Sequence, residues 1–87
     1  MRDESNSSFA IIRYNARTYE GGGVAAVVKG RDTAEATLKQ IERCQDSADH
    51  DAGWRYFLEK SDLKPGMDPQ EATNLRQARF DMQDMQG

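Results

Sequence analysis

Three consecutive glycines, Gly21, Gly22 and Gly23, separate two runs whose residue types belong in strands. Residues 9–19 are rich in Phe, Ile and Tyr and lack proline, and residues 24–28 read Val-Ala-Ala-Val-Val. Branched and aromatic side chains fit the pleat of a half-buried sheet, so both runs predict extended backbone. Glycine reaches positive φ at no steric cost, and the economical connection is a hairpin turning at 20–23. A phosphate-binding loop does not fit. A Walker loop needs Gly-Lys-Ser/Thr opening a helix, and a dinucleotide loop needs spaced glycines between strand and helix. Here a β-branched run follows the glycines, and Lys29-Gly30 leads into Arg31.

Side chains alternate across a strand, which divides the first run into two sets. Ala10, Ile12, Tyr14 and Ala16 are apolar throughout and are expected to face a core. Phe9, Ile11, Arg13, Asn15 and Arg17 begin apolar and become basic, as in a strand that runs out from under cover. Asp32-Thr33-Ala34-Glu35 has the form of a capping box, with Asp32 as N-cap and Glu35 at N3. Ala34, Leu38, Ile41, Cys44 and Ala48 then share one stripe at helical spacing and predict a helix over 32–48. On that stripe Cys44 reads as a small buried hydrophobe.

A polar joint at 45–53 precedes Trp54-Arg55-Tyr56-Phe57-Leu58-Glu59, a third strand by its aromatic content. Trp54, Tyr56 and Leu58 share one face of it, and Arg55, Phe57 and Glu59 the other. Asp68-Pro69-Gln70-Glu71 starts a second helix, with Asp at the N-cap and Pro at N1. Leu75, Ala78, Met82 and Met85 follow on a narrow stripe over 69–85, and Phe80 lies off it. The expectation is an α+β domain over 9–87 in β-β-α-β-α order. Its antiparallel three-stranded sheet carries helix 32–48 on one face and is followed by the C-terminal helix 69–85. Residues 1–8 are polar and are expected to be disordered.

Thirteen of the 87 residues are Leu, Ile, Val or Phe, a thin supply for the core of a small domain. Oligomerisation is a usual remedy for such a core, and a homodimer is expected. Its interface is assigned to Leu75, Ala78, Phe80, Met82 and Met85, because Phe80 needs a second surface to cover it. A lone cysteine and the lack of an apolar leader or membrane-length run point to a reduced cytoplasmic setting.

No catalytic set is legible, and an enzyme is not expected. The chain has one Cys and one His, and Cys44 points away from His50 if the helical stripe holds. Asp46, Asp49, His50 and Asp51 lack the spacing of an EF-hand, and zinc wants more Cys and His ligands than this chain offers. No metal or other cofactor is expected.

The remaining constellation is basic. Arg13, Asn15 and Arg17 alternate along one strand, and Arg55 lies on another with Phe57 and Tyr19 near it. If these faces coincide, they form a platform for an anion, a nucleotide or single-stranded nucleic acid, since arginine grips phosphate bidentately and aromatic rings stack bases. The alternative use of these arginines is cross-strand pairing with Glu20 and Glu59. Net charge is −3, whereas nucleic-acid binding is marked by a strongly basic face. The expected function is therefore a small interaction protein that regulates or inhibits a macromolecular, most simply protein, partner by surface binding, with no membrane involved. Nucleotide or single-stranded nucleic-acid binding is the alternative.

Overall fold

Phe9, Ala10, Ile11 and Ile12 are all buried, so the strand that carries them must be covered on both faces. That strand, β1 (Ser8–Asn15), lies at the centre of an antiparallel sheet, between β2 (Gly21–Lys29) and β3 (Trp54–Ser61). The computed structural model describes the backbone of residues 7–86 and the side chains of residues 7–79. Three helices complete the order: α1 (Arg31–Arg43), α2 (Ser47–Asp51) and α3 (Pro69–Gln86). The α+β class and the three-stranded antiparallel sheet thus agree with the sequence, with one additional short helix. Ser8 opens β1, one residue before the expected strand, and the Ser7 carbonyl accepts the Gly30 N–H at 2.7 Å. Residues 1–6 lie outside the described residues.

The two sheet faces have different lids. Ala10 and Ile12 join Val24, Val27, Leu63 and Ala72 in one apolar cluster, with Met67 against it. Ala72 comes from α3, which packs along β2. Phe9 and Ile11 alternate to the opposite face, where α1 crosses the three strands and buries Ala34. Helix α3 therefore completes the core of the single chain through its N-terminal turns. Ala72, Thr73 and Arg76 are its more covered residues, whereas Leu75 and Ala78 of the expected stripe are exposed. The start of α3 is as the sequence predicts. Asp68 Oδ2 accepts the backbone N–H groups of Gln70 at 3.1 Å and Glu71 at 3.2 Å, with Pro69 at N1. Asp68→Ala should lower stability by about 1 kcal/mol, the usual worth of an N-cap, read as a lower urea midpoint with an unchanged slope.

The glycines do not make the hairpin turn. They are the first three residues of β2, and β1 stops at Asn15. The turn falls at 16–20, where Asn15 N–H donates to the Glu20 carbonyl at 2.9 Å and Tyr19 N–H to the Asn15 carbonyl at 2.8 Å. Ala16, Arg17 and Tyr19 are consequently outside the strand, and Tyr14 is partly exposed rather than a core residue. The glycines serve a different purpose. Gly22 and Ala25 are extra residues in β2, opposite no residue of β1, so the strand bulges twice. At Gly23 (φ +83°) a Cβ would sit 2.9 Å from the Thr73 side chain, so only glycine lets α3 approach this closely.

These devices close the outer edge of β2. Thr73 Oγ1 accepts the Val24 N–H at 2.9 Å, and the Val27 carbonyl accepts the Gly66 N–H at 2.8 Å. Bulges and capped edge groups are how a sheet avoids pairing with another chain.

Helix 32–48 is shorter than expected and begins differently. Gly30 takes the N-cap position without a side-chain cap, and Asp32 sits inside the first turn, where its charge suits the helix dipole. The helix ends at Arg43, because the chain must reverse to enter β3 within ten residues. Gln45 bridges that reversal, donating from Nε2 to Asp49 Oδ2 at 3.0 Å and to the Trp54 carbonyl at 2.9 Å. Cys44 and Ala48 are exposed as a result, and Cys44 is no core residue. No helix among the described residues is long and apolar enough to cross a membrane.

Candidate interaction surface

The ladder between β1 and β3 is regular over eight pairs, so it fixes which side chains share a face. Arg13 stands opposite Tyr56, and Asn15 opposite Trp54, on the α1 side. Arg55 stands opposite Tyr14, on the α3 side with Phe57 and Glu59. Arg13 and Arg55 therefore leave the sheet on opposite faces, and both side chains end on groups of α2, Asp49 and the His50 carbonyl, rather than on one open platform.

Each of these residues has a separate local role. The Arg13 guanidinium lies 3.9 Å from the Trp54 ring centre, and its Nη2 meets Asp49 Oδ1 at 2.5 Å. Stacking and ion pairing together clasp this side chain against α2. Asn15 is 3% exposed and serves the backbone, not a ligand. Its Oδ1 accepts the N–H groups of Arg17 and Thr18, and its Nδ2 donates to the Ala52 carbonyl. Arg17 is exposed in the turn, and Tyr19, at φ 64°, is 89% exposed. Arg55 Nη1 donates at 2.8 Å to the carbonyls of His50 and Trp54. Phe57 is 39% exposed and meets Tyr14 edge to face, with ring centres 5.4 Å apart.

The glutamates do not pair with the strand arginines. Glu20 accepts from the Thr18 hydroxyl, and Glu59 binds Arg76 of α3 bidentately at 2.9 and 3.0 Å. That pair raises the Arg76 pKa above its ordinary value, the hydrogen bond to Glu59 outweighing partial burial. A second pair joins Arg79 to Asp62, and its hydrogen bond holds the Asp62 carboxyl below the ordinary carboxylate value. Both pairs line a concavity of about 460 Å³ between the end of β3 and α3, together with Lys60, Ser61 and Leu63. Its two arginines already have carboxylate partners on the same wall, which leaves Lys60, among the described residues, as the one lining cation beyond those pairs. Nothing in the sequence marks Arg76 for Glu59, because the two are 17 residues apart and meet only once α3 folds back.

His50 is exposed on α2, as is Asp51 beside it. Among the described residues, no three His, Cys, Asp or Glu side chains converge as metal ligands. The side chains of Phe80, Met82 and Met85, assigned to a dimer interface, lie outside the described residues. Leu75, 44% exposed, and Ala78 are at the surface. The large apolar side chains exposed among the described residues are Tyr14 and Phe57 on the α3 side of the sheet, Leu75 on α3 itself, and Tyr19 at the turn. No protein-family profile, curated protein or solved structure is detectably similar to this chain.

Proposed function

We propose that this chain is a non-enzymatic interaction protein that regulates or inhibits a macromolecular partner by surface contact, and that it acts as a homodimer. The observation that supports this reading is the division of labour among its side chains. Arg13, Arg76 and Arg79 are satisfied within the fold, while Tyr14, Phe57 and Leu75 are left to water. Exposed aromatic and aliphatic side chains on a charged surface are the usual anchors of protein–protein contacts. A clasped Arg13 and a net charge of −3 give a phosphate backbone little to hold.

A pull-down in which protein and nucleic acid are both recovered from one sample tests this. Protein capture should fall on the order of tenfold for Leu75→Ala, with circular dichroism unchanged, as for a contact anchor. Salt-sensitive recovery of nucleic acid, lost in an Arg13→Ala/Arg17→Ala variant and kept in Leu75→Ala, would sink the proposal in favour of nucleic-acid binding.

A further inference from the structure

The two edges of the sheet are treated unequally. The outer edge of β2 is bulged at Gly22 and Ala25, and its Val24 N–H and Val27 carbonyl are capped by Thr73 and Gly66. The outer edge of β3 has no bulge, and capping reaches only its first residue, Trp54. Its ladder with β1 runs without a bulge from Trp54 to Ser61. Backbone direction along it follows from the partners of two carbonyls. The Gly53 carbonyl accepts the Ala16 N–H at 2.8 Å and so points toward β1. The Trp54 carbonyl is taken instead by the side chains of Gln45 and Arg55, and so points away from β1. Alternation then aims the N–H and C=O groups of Tyr56 and Leu58 outward. Among the described residues, no group outside the ladder bonds to them. An open, regular edge of this kind is a template for another strand.

We propose that the occupant is β3 of a second copy of this chain, paired antiparallel with Phe57 opposite Phe57 across a two-fold axis. The choice of copy and register comes from the charges on this strand. With Phe57 on the axis, Arg55 of each copy stands opposite Glu59 of the other, giving two attractive pairs. Moving the axis to Tyr56 sets Arg55 against Phe57, and moving it to Leu58 sets Glu59 against Phe57. Neither shift makes a charge pair. The Phe57 register also brings Tyr56 opposite Leu58 twice, so the outward groups of both residues bond in each copy, four backbone hydrogen bonds in all. Gln45 already occupies the Trp54 carbonyl, which confines the seam to residues 55–59. Glu59 keeps Arg76 on its own chain, so each seam charge pair continues into α3. The two sheets become one of six strands, and the half-exposed Phe57 rings meet at its centre. This seam rests on the homodimer reading above but places the contact on β3 rather than on the C-terminal helix.

The test uses the whole chain with Cys44→Ser, which removes the exposed native thiol. Sedimentation equilibrium should give twice the 9.8 kDa mass of the chain. Directly opposed residues of this kind lie about 4.5 Å apart at Cα, within reach of a disulfide. Phe57→Cys should therefore cross-link to itself under mild oxidation. Arg55→Cys and Glu59→Cys should not, being displaced from their own copies by four residues, about 13 Å. Arg55→Glu should weaken self-association about tenfold, and mixing it with Glu59→Arg should restore a heterodimer, because each seam pair then regains opposite charges. Circular dichroism of each variant separates lost association from lost fold. A dimer that cross-links through Leu75→Cys and not through Phe57→Cys would overturn the seam while leaving the homodimer reading in place. A strict monomer at high concentration would overturn both.

Discussion

Asn15→Ala should remove about 3 kcal/mol of stability, a large share of what a small domain has. The side chain is 3% exposed and makes three hydrogen bonds to backbone: from the Arg17 and Thr18 N–H groups at 2.9 and 3.0 Å, and to the Ala52 carbonyl at 3.1 Å. Alanine removes all three of these part-buried contacts at once, and a lost hydrogen bond of this kind costs about 1 kcal/mol. The effect is larger than a surface turn would suggest because Asn15 ties two loops together. One is the β1–β2 turn, and the other is the joint between α2 and β3. Gly53 completes the arrangement. At φ +105° it tolerates no ordinary side chain, and a Cβ there would lie 2.7 Å from Asn15 Oδ1. Asn15→Asp keeps the two acceptor contacts but sets a carboxylate against the Ala52 carbonyl, so its loss should be intermediate. Urea unfolding of the three proteins gives the ranking, and a loss under 1 kcal/mol for alanine would refute the role assigned to Asn15.

The same residue marks where sequence reading succeeds and where it fails. Period-two alternation places Asn15 on a face with Arg13, which is correct, but its side chain turns to the backbone instead of outward. Whether an asparagine nucleates a turn depends on a φ/ψ path that alternation does not encode. The glycine triplet carries a stronger local turn signal, yet it is used for bulges and for the approach of Thr73, both tertiary demands. Asp68 and Pro69 are read correctly because a helix cap is satisfied by groups within three residues of it. The end of α1 is not, because it is decided by Gln45 reaching Trp54 nine residues on. Arg13 and Asp49 are 36 residues apart, and Arg76 and Glu59 are 17 apart. Both ion pairs depend on how helices return to the sheet. The arginine platform failed for a related reason. Each strand's faces are legible alone, whereas the relation between strands requires the register.

Ile11→Ala should cost about 3–4 kcal/mol, the range for a large aliphatic side chain truncated in a core that cannot collapse around the gap. Ile11 is wholly buried on the central strand, with Leu58 opposite it on β3 and Ala26 opposite it on β2. Its neighbours are held by two ladders and by α1, so the space left behind stays largely empty. Phe57→Ala removes a bigger side chain from the same sheet but one already 39% exposed, and in dilute solution it should cost under about 1 kcal/mol. The contrast separates residues that hold the chain together from residues that hold it to something else. It also carries a concentration signature. Self-association through β3 stabilises the folded state by mass action, so the wild-type midpoint should rise with protein concentration. Ile11→Ala should keep that slope at a lower midpoint, because the edge of β3 is intact. Phe57→Ala should have a smaller slope, with its dilute-limit midpoint nearly unchanged. Parallel slopes in the two variants would show that Phe57 contributes nothing to association.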